Sequence, residues 1–258
     1  MHLLNRARSR AARYSSKSFV MCNKVPLASF TFDDVPESAY TNGAAILEDR
    51  EVHGTFYIAG GKCGTFNSVM GWRLIDRDGV RALHDHGHEI GCHTFSHPHV
   101  DQLNARTLEN ECRQNRDLIR ELCAGTEPTN FCYPFGSVSL LRKRQLEKRF
   151  DSCRGIDKGI NAGIVDLGLL RVIELYDRTL TREKLARVLS ETRERMGWVI
   201  FYTHDVTKAP SAIGCSLQGL SATVKMVQAA GILSLPIREA LTEIGYARAA
   251  PLRPSPRA

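Results

Sequence analysis

The stretch His88-Glu89-Ile90-Gly91-Cys92-His93-Thr94-Phe95-Ser96-His97 reads as a short β-strand that runs directly into two histidines at i and i+4. Pro98 disfavours helical backbone at His97, so the strand ends in a tight turn rather than a helix. Other strand-like runs end the same way. Leu27–Phe32 alternates and stops at Asp33-Asp34-Val35-Pro36. Phe131-Cys132-Tyr133 turns at Pro134-Phe135-Gly136, and Trp198–Thr203, the most apolar run, stops at His204-Asp205. Further strands are expected at 53–59, 150–153, 170–175 and 232–234. Helical patterns fill 41–51 (capped by Thr41), 76–86, a segment opened by Thr107, 138–149, 181–196, 217–230 and 236–244. Alternation of strand and helix with short connections implies a parallel sheet covered by helices. A (β/α) barrel collects the C-terminal strand ends on one face, where active sites are built. A doubly wound open sheet gathers them too.

At 258 residues the chain fits a single domain. Its net charge of +7 suggests nucleic acid, but the distribution excludes it. Arg6, Arg8, Arg10, Arg13 and Lys17 open the chain without an acid, and Arg248, Arg253 and Arg257 close it likewise. The remainder holds 27 basic against 28 acidic residues. We therefore expect a basic, disordered arm over 1–24, a catalytic domain over 25–246 and a disordered tail over 247–258. The arm has no apolar stretch of the secretory type, and no run is long enough to span a bilayer. Eight cysteines without a C-x-x-C suit reduced thiols in a cytoplasmic protein.

Two imidazoles and a carboxylate make a divalent-metal face, and such a metal polarises a carbonyl and acidifies water. Adjacent strand residues point to opposite faces, so Asp33 and Asp34 can share a site only just past the strand end. One would bind the metal and the other take a proton. His204 is a natural general acid. His84, His86 and His88 read as a helix end, His99 as a residue behind the site, and Cys92 as core.

These motifs resemble the polysaccharide deacetylases (carbohydrate esterase family 4, which includes chitooligosaccharide deacetylases). The matching pieces are Thr31–Asp34, Gly87–His97, Tyr133–Gly136 and Thr203–Asp205, spread over about 27–240. The resemblance implies a distorted (β/α) barrel of seven or eight strands that hydrolyses acetyl from an N- or O-acetylated sugar, oligosaccharide or polysaccharide. It implies Asp33 as catalytic base, His204 as catalytic acid, and the Phe135 backbone N–H as oxyanion donor. Asp34, His93 and His97 would hold Zn²⁺, with Co²⁺ or Ni²⁺ as substitutes.

Three departures stand out. Cys132 occupies the place of the arginine that holds the catalytic base in the family, and Arg154 is expected to supply that guanidinium instead. No Asp-Trp motif is evident, which leaves Asp151, Asp157 and Asp177 as candidates for orienting His204. Tyr202 replaces the usual leucine, so Tyr202 and Tyr133 are expected to shape substrate binding. The alternatives are hydrolysis of another C–N bond, such as a formamide or ureide, and a non-catalytic carbohydrate-binding relative.

Overall fold

Seven parallel strands close on themselves in the computed structural model, which describes residues 17–247. They are β1 (Leu27–Asp33), β2 (Thr55–Ile58), β3 (Glu89–Cys92), β4 (Asn130–Cys132), β5 (Ser152–Lys158), β6 (Leu170–Glu174) and β7 (Trp198–Thr203). Each pairs with the next, and β7 pairs with β1 from Trp198↔Leu27 to Thr203↔Phe32. The other edge of β1 is shared. The two-residue strand β8 (Leu233–Ser234) pairs with Leu27–Ala28, while β2 takes Thr31–Asp33. This split distorts the barrel and explains why seven and eight strands are both fair counts.

The period of two in β1 and β7 divides inside from outside. Ala28, Phe30 and Phe32, with Val199 and Phe201, pack outward into the cluster under the helices. Leu27, Trp198, Ile200 and Tyr202 belong to a second cluster, inside the barrel. Ser29 and Thr31 lie in the same inward row as Leu27, and Asp33 stands at its upper end. Trp198 Nε1 donates to Ser29 Oγ, 2.9 Å, and Thr31 Oγ1 to Phe201 O, 2.8 Å, so these two inward hydroxyls are satisfied.

The helices are α1 (Ala45–Glu48, preceded by a π-helical turn over Ala39–Ala44), α2 (Arg77–Asp85), α3 (Ala105–Leu122), α4 (Leu140–Leu146), α5 (Arg182–Glu194), α6 (Leu217–Ala229) and α7 (Ile237–Glu243). Side-chain caps fix four starts: Asp76, Asn104, Thr181 and Ser216 each accept from the backbone N–H three residues on. Thr107 therefore does not open α3; its N–H is what Asn104 caps. Thr41 lies inside the π-helical turn rather than at its start. At the barrel floor, Glu89 is buried and accepts from Thr55 Oγ1 and Arg238 N, which ties α7 to β2 and β3.

Residues 1–16 and 248–258, most of the expected arm and tail, lie outside the described residues. The rest of the arm is structured. Ser18–Val20 pairs antiparallel with Ile164–Asp166, and Lys17 Nζ donates to Phe150 O and Asp151 O. The strand expected at 150–153 runs from Ser152 to Lys158, and a hairpin not anticipated pairs Phe66–Asn67 with Trp72–Arg73. Among the described residues no helix is long and apolar enough to cross a membrane.

Gly91 on β3 faces the ring of Tyr57 so closely that an added Cβ would lie 2.5 Å from it. Gly91→Ala must displace that ring, and we expect a loss of about 1–3 kcal/mol in urea unfolding. A variant as stable as the native chain would show that the inner wall yields there.

Candidate active site

Asp33 is the last residue of β1, and its side chain follows the strand's inward row. Asp34 and Val35 then take left-handed backbone, φ +57° and +50°, which brings the next carboxylate round to the same cavity. After β3, Thr94 and His97 are also left-handed, both at φ +62°. The loop between them is pinned by Glu111 on α3, whose Oε2 accepts from Phe95 N and Ser96 N at 2.9 and 2.7 Å. Glu111 reads as an outward helix residue in the sequence; it holds the histidine loop in the fold.

His97 Nε2 lies 3.0 Å from Asp34 Oδ1 and 3.2 Å from His93 Nε2, and His93 Nε2 lies 3.6 Å from Asp34 Oδ1. Three ligand atoms around one tetrahedral ion at about 2.0–2.2 Å stand roughly 3.3–3.5 Å apart. The set fits a divalent metal. His93 Nδ1 donates to Cys132 O, 2.8 Å, which turns the bare Nε2 lone pair inward. Burial, with the nearby charge of His97, pushes the His93 pKa down to about 4, so its ring is neutral at pH 7. Burial acts to raise Asp34, but the hydrogen bond from His97 and the two imidazoles outweigh it and hold the carboxyl well below the usual range.

Arg154 is fully buried on β5, and its Nη2 donates to Asp33 Oδ1 in a close ion pair. Its Nη1 donates to Gly155 O, 3.0 Å, and its guanidinium lies 5.0 Å from the Tyr57 ring and 5.2 Å from that of Tyr202. Cys132 and Arg154 are register partners on β4 and β5, so the charge arrives from one strand over at the same height. The Cys132 thiol, pushed up by burial, stays protonated and donates to Asp33 Oδ2 at 3.6 Å. Burial alone would raise Asp33; the Arg154 charge, with His93 and His204, leaves it lowered.

His204 follows β7. Its Nδ1 lies 3.1 Å from Ile213 O, and its ring stacks on Trp72 at 6.1 Å and 15°. The partner that fixes its Nδ1 is thus the Ile213 carbonyl; Asp177 Oδ1 accepts from Ser216 N and Asp151 Oδ1 from Tyr246 Oη. A main-chain carbonyl and an indole face hold the ring, and no sequence spacing signals either. Trp72 belongs to the unanticipated hairpin.

Phe135 is left-handed at φ +58°, and the flanking Gly136 and Ser137 N–H groups donate to Tyr133 O and Pro134 O. Its ring stacks on His99, 4.2 Å, and meets His97 edge-on at 4.4 Å. Tyr133 and Tyr202 both line the cavity, though the Tyr133 hydroxyl is engaged with Gly168 O at 3.1 Å. His84, His86 and His88 stand apart, bonded to Thr126 and Glu48. Asp33, Asp34, His93, His97, Phe135 and His204 surround one cavity of about 810 Å³.

Comparison with known proteins supplies the family. A family model described as polysaccharide deacetylase matches residues 21–149, half of the chain; the chain belongs to that family. It is 28% identical over 117 residues to a peptidoglycan-N-acetylglucosamine deacetylase of Bacillus cereus, covering 45% of this chain and 38% of that protein. It is 23% identical over 150 residues to a chitin deacetylase of Colletotrichum lindemuthianum, 58% of this chain and 54% of that protein. The chain thus aligns with about half or less of these relatives' length. Among solved structures, the chitin deacetylase from Colletotrichum lindemuthianum superposes with a TM-score of 0.60 at 21% identity, over 89% of this chain and 92% of that one. A family 4 acetyl xylan esterase from Clostridium thermocellum, solved with a cobalt ion, gives 0.57 at 20%, over 84% and 90%. These likenesses establish the barrel fold.

The Asp33 pair has a pH signature. Because the folded pKa is lowered, the stability it contributes is present above about pH 4 and lost as pH falls through the folded value. Arg154→Met leaves the burial of Asp33 opposed only by the histidines and the Cys132 thiol. We expect a loss of about 3–5 kcal/mol at pH 7 that narrows as pH falls through the folded value of Asp33 in the variant, which lies above that of the native chain. Urea unfolding with chelator present measures it, and a pH-independent difference would exclude the ion pair as its source.

Proposed function

We propose that the chain is a zinc-dependent carbohydrate deacetylase, cleaving acetyl from the nitrogen or oxygen of an acetylated sugar. The reading is carried by the pairing of an arginine-held Asp33 with the Asp34, His93 and His97 triad in one cavity that a separately held His204 also lines. A zinc ion, or cobalt or nickel, held by Asp34, His93 and His97 supplies the Lewis acid that polarises the acetyl carbonyl and acidifies water.

The chain's own groups do the rest. Asp33, kept ionised by Arg154, takes the proton from the attacking water. The Phe135 N–H, aimed by its left-handed backbone, donates to the oxygen that becomes negative as the carbonyl turns tetrahedral. His204 delivers a proton to the departing nitrogen or oxygen. With Nδ1–H held on Ile213 O, the proton it gives is the one on Nε2. Tyr133 and Tyr202 form the wall beside the acetyl group. The eight free thiols support a cytoplasmic setting.

Acetate release from a panel of N- and O-acetylated sugars tests the proposal. Chelation should abolish it and Zn²⁺ restore it. Asp33→Asn and His204→Ala should each lower kcat by about 10²–10⁴-fold. Formate or ammonia from formamide or ureide substrates, with no acetate, would move the activity to another C–N bond. Full activity in chelator would end the metal reading.

A further inference from the structure

The cavity that holds Asp33, Asp34 and His204 also has an apolar mouth. Ten large hydrophobic side chains are exposed on the described surface, and four of them, Phe66, Val69, Phe135 and Ile156, line this one cavity. Val69 sits at the turn of the 66–73 hairpin and is 90% exposed; Met70 beside it also lines the cavity. Across the opening, Ile156 packs on Gly136, where an added Cβ would lie 2.3 Å from its Cγ1. Single exposed hydrophobic residues are ordinary, but their concentration round one opening marks a binding surface.

The composition of that surface distinguishes among ligands. A sugar ring is held by aromatic faces against its C–H groups and by free polar groups on its hydroxyls. Phe66 and Phe135 offer rings there, but Val69, Met70 and Ile156, the aliphatic part of the rim, offer neither. Three of the neighbouring polar groups are already engaged: Asn67 Oδ1 accepts from Val69 N and Met70 N, both 3.2 Å, Thr65 Oγ1 donates to Lys62 O at 2.7 Å, and Ser96 Oγ donates to Glu111 Oε1 at 2.8 Å. Hydroxyls laid over Val69 and Ile156 would lose water without replacement, whereas a hydrocarbon gains by leaving it.

We propose that the mouth is a subsite for a hydrocarbon chain, so that the substrate is an amphiphile: an acetylated sugar carrying an alkyl or acyl group, as in a glycolipid. This rests on the deacetylase reading. The sugar enters between Asp33 and His204, while the chain lies over Val69 and Ile156 at the rim.

Binding of methyl and octyl N-acetyl-β-glucosaminide to the zinc-loaded chain, by calorimetry below the octyl compound's micelle concentration, tests it. Both probes are uncharged, so attraction to Lys62 or Arg178 on the same wall does not enter the ratio. A fully buried methylene strengthens binding about fourfold, so two covered methylenes give about fifteenfold. We expect the octyl glycoside to bind tighter by at least about tenfold, and Val69→Ser with Ile156→Ser to bring the ratio toward one. Equal binding of the two glycosides, or a ratio unmoved in the double variant, overturns the subsite. Absence of acetate release from every acetylated substrate would instead overturn the deacetylase reading, while the binding ratio would still report on the subsite.

Discussion

The guanidinium of Arg154 and the carboxylate of Asp33 are both withdrawn from water at the barrel mouth, and the rest of the site is arranged round that pair. Taking an ion out of water costs several kcal/mol, which mutual attraction repays only with good geometry and further partners. Asp33 has both a guanidinium and a thiol as donors. Arg154 has Asp33 and Gly155 O in its plane, with Tyr57 and Tyr202 rings near it. Two desolvated cation–π contacts contribute on the order of 1–2 kcal/mol each. A tyrosine in place of a leucine at 202 thereby has a physical reason: it helps hold a charge that comes from β5 rather than β4. Cys132, at the register position facing Arg154, is small enough to leave the guanidinium its room.

Much of this was legible in the chain because strand periodicity and ligand spacing are local. Asp33 and His204 end inward rows, and His93 and His97 share a turn, so their convergence follows once the sheet is parallel. The Asp33–Arg154 pairing was legible from the gap left at Cys132. Glu111, Trp72 and Ile213 were not. Glu111 obeys a helix pattern that is correct for its backbone and silent about the loop above it. Ile213 acts through its carbonyl, which every residue has. Trp72 lies in a two-residue strand too short for any period, and its reach to His204 depends on tertiary packing alone. The strand at Ser18–Val20 was hidden by a basic composition that resembles a solvated arm.

Backbone strain is concentrated where the chemistry sits. Of the eight non-glycine residues with positive φ among the described residues, five (Asp34, Val35, Thr94, His97 and Phe135) lie in the loops of the site. Such residues cost about 1–3 kcal/mol each and persist only when surroundings over-determine them. Val35 is the most telling, since a β-branched side chain tolerates this region poorly. It is fully buried in the outer core, and its carbonyl accepts from Ile75 N at 2.9 Å. Pro36 bridges to Leu74 beside it.

Ile75 and Leu74 directly follow the hairpin that carries Trp72, so one segment serves both halves of the site. Its C-terminal end clamps the left-handed turn that swings Asp34 towards His93 and His97. Its second strand lays an indole against His204, which follows the strand next to that of Asp33. Neither contact could be made by a short connection between β2 and α2, because the chain must climb over the cavity and return to the Asp76 cap. The hairpin is therefore part of the site's framework, and the apolar tip it leaves exposed at Val69 is the portion that the framework does not require.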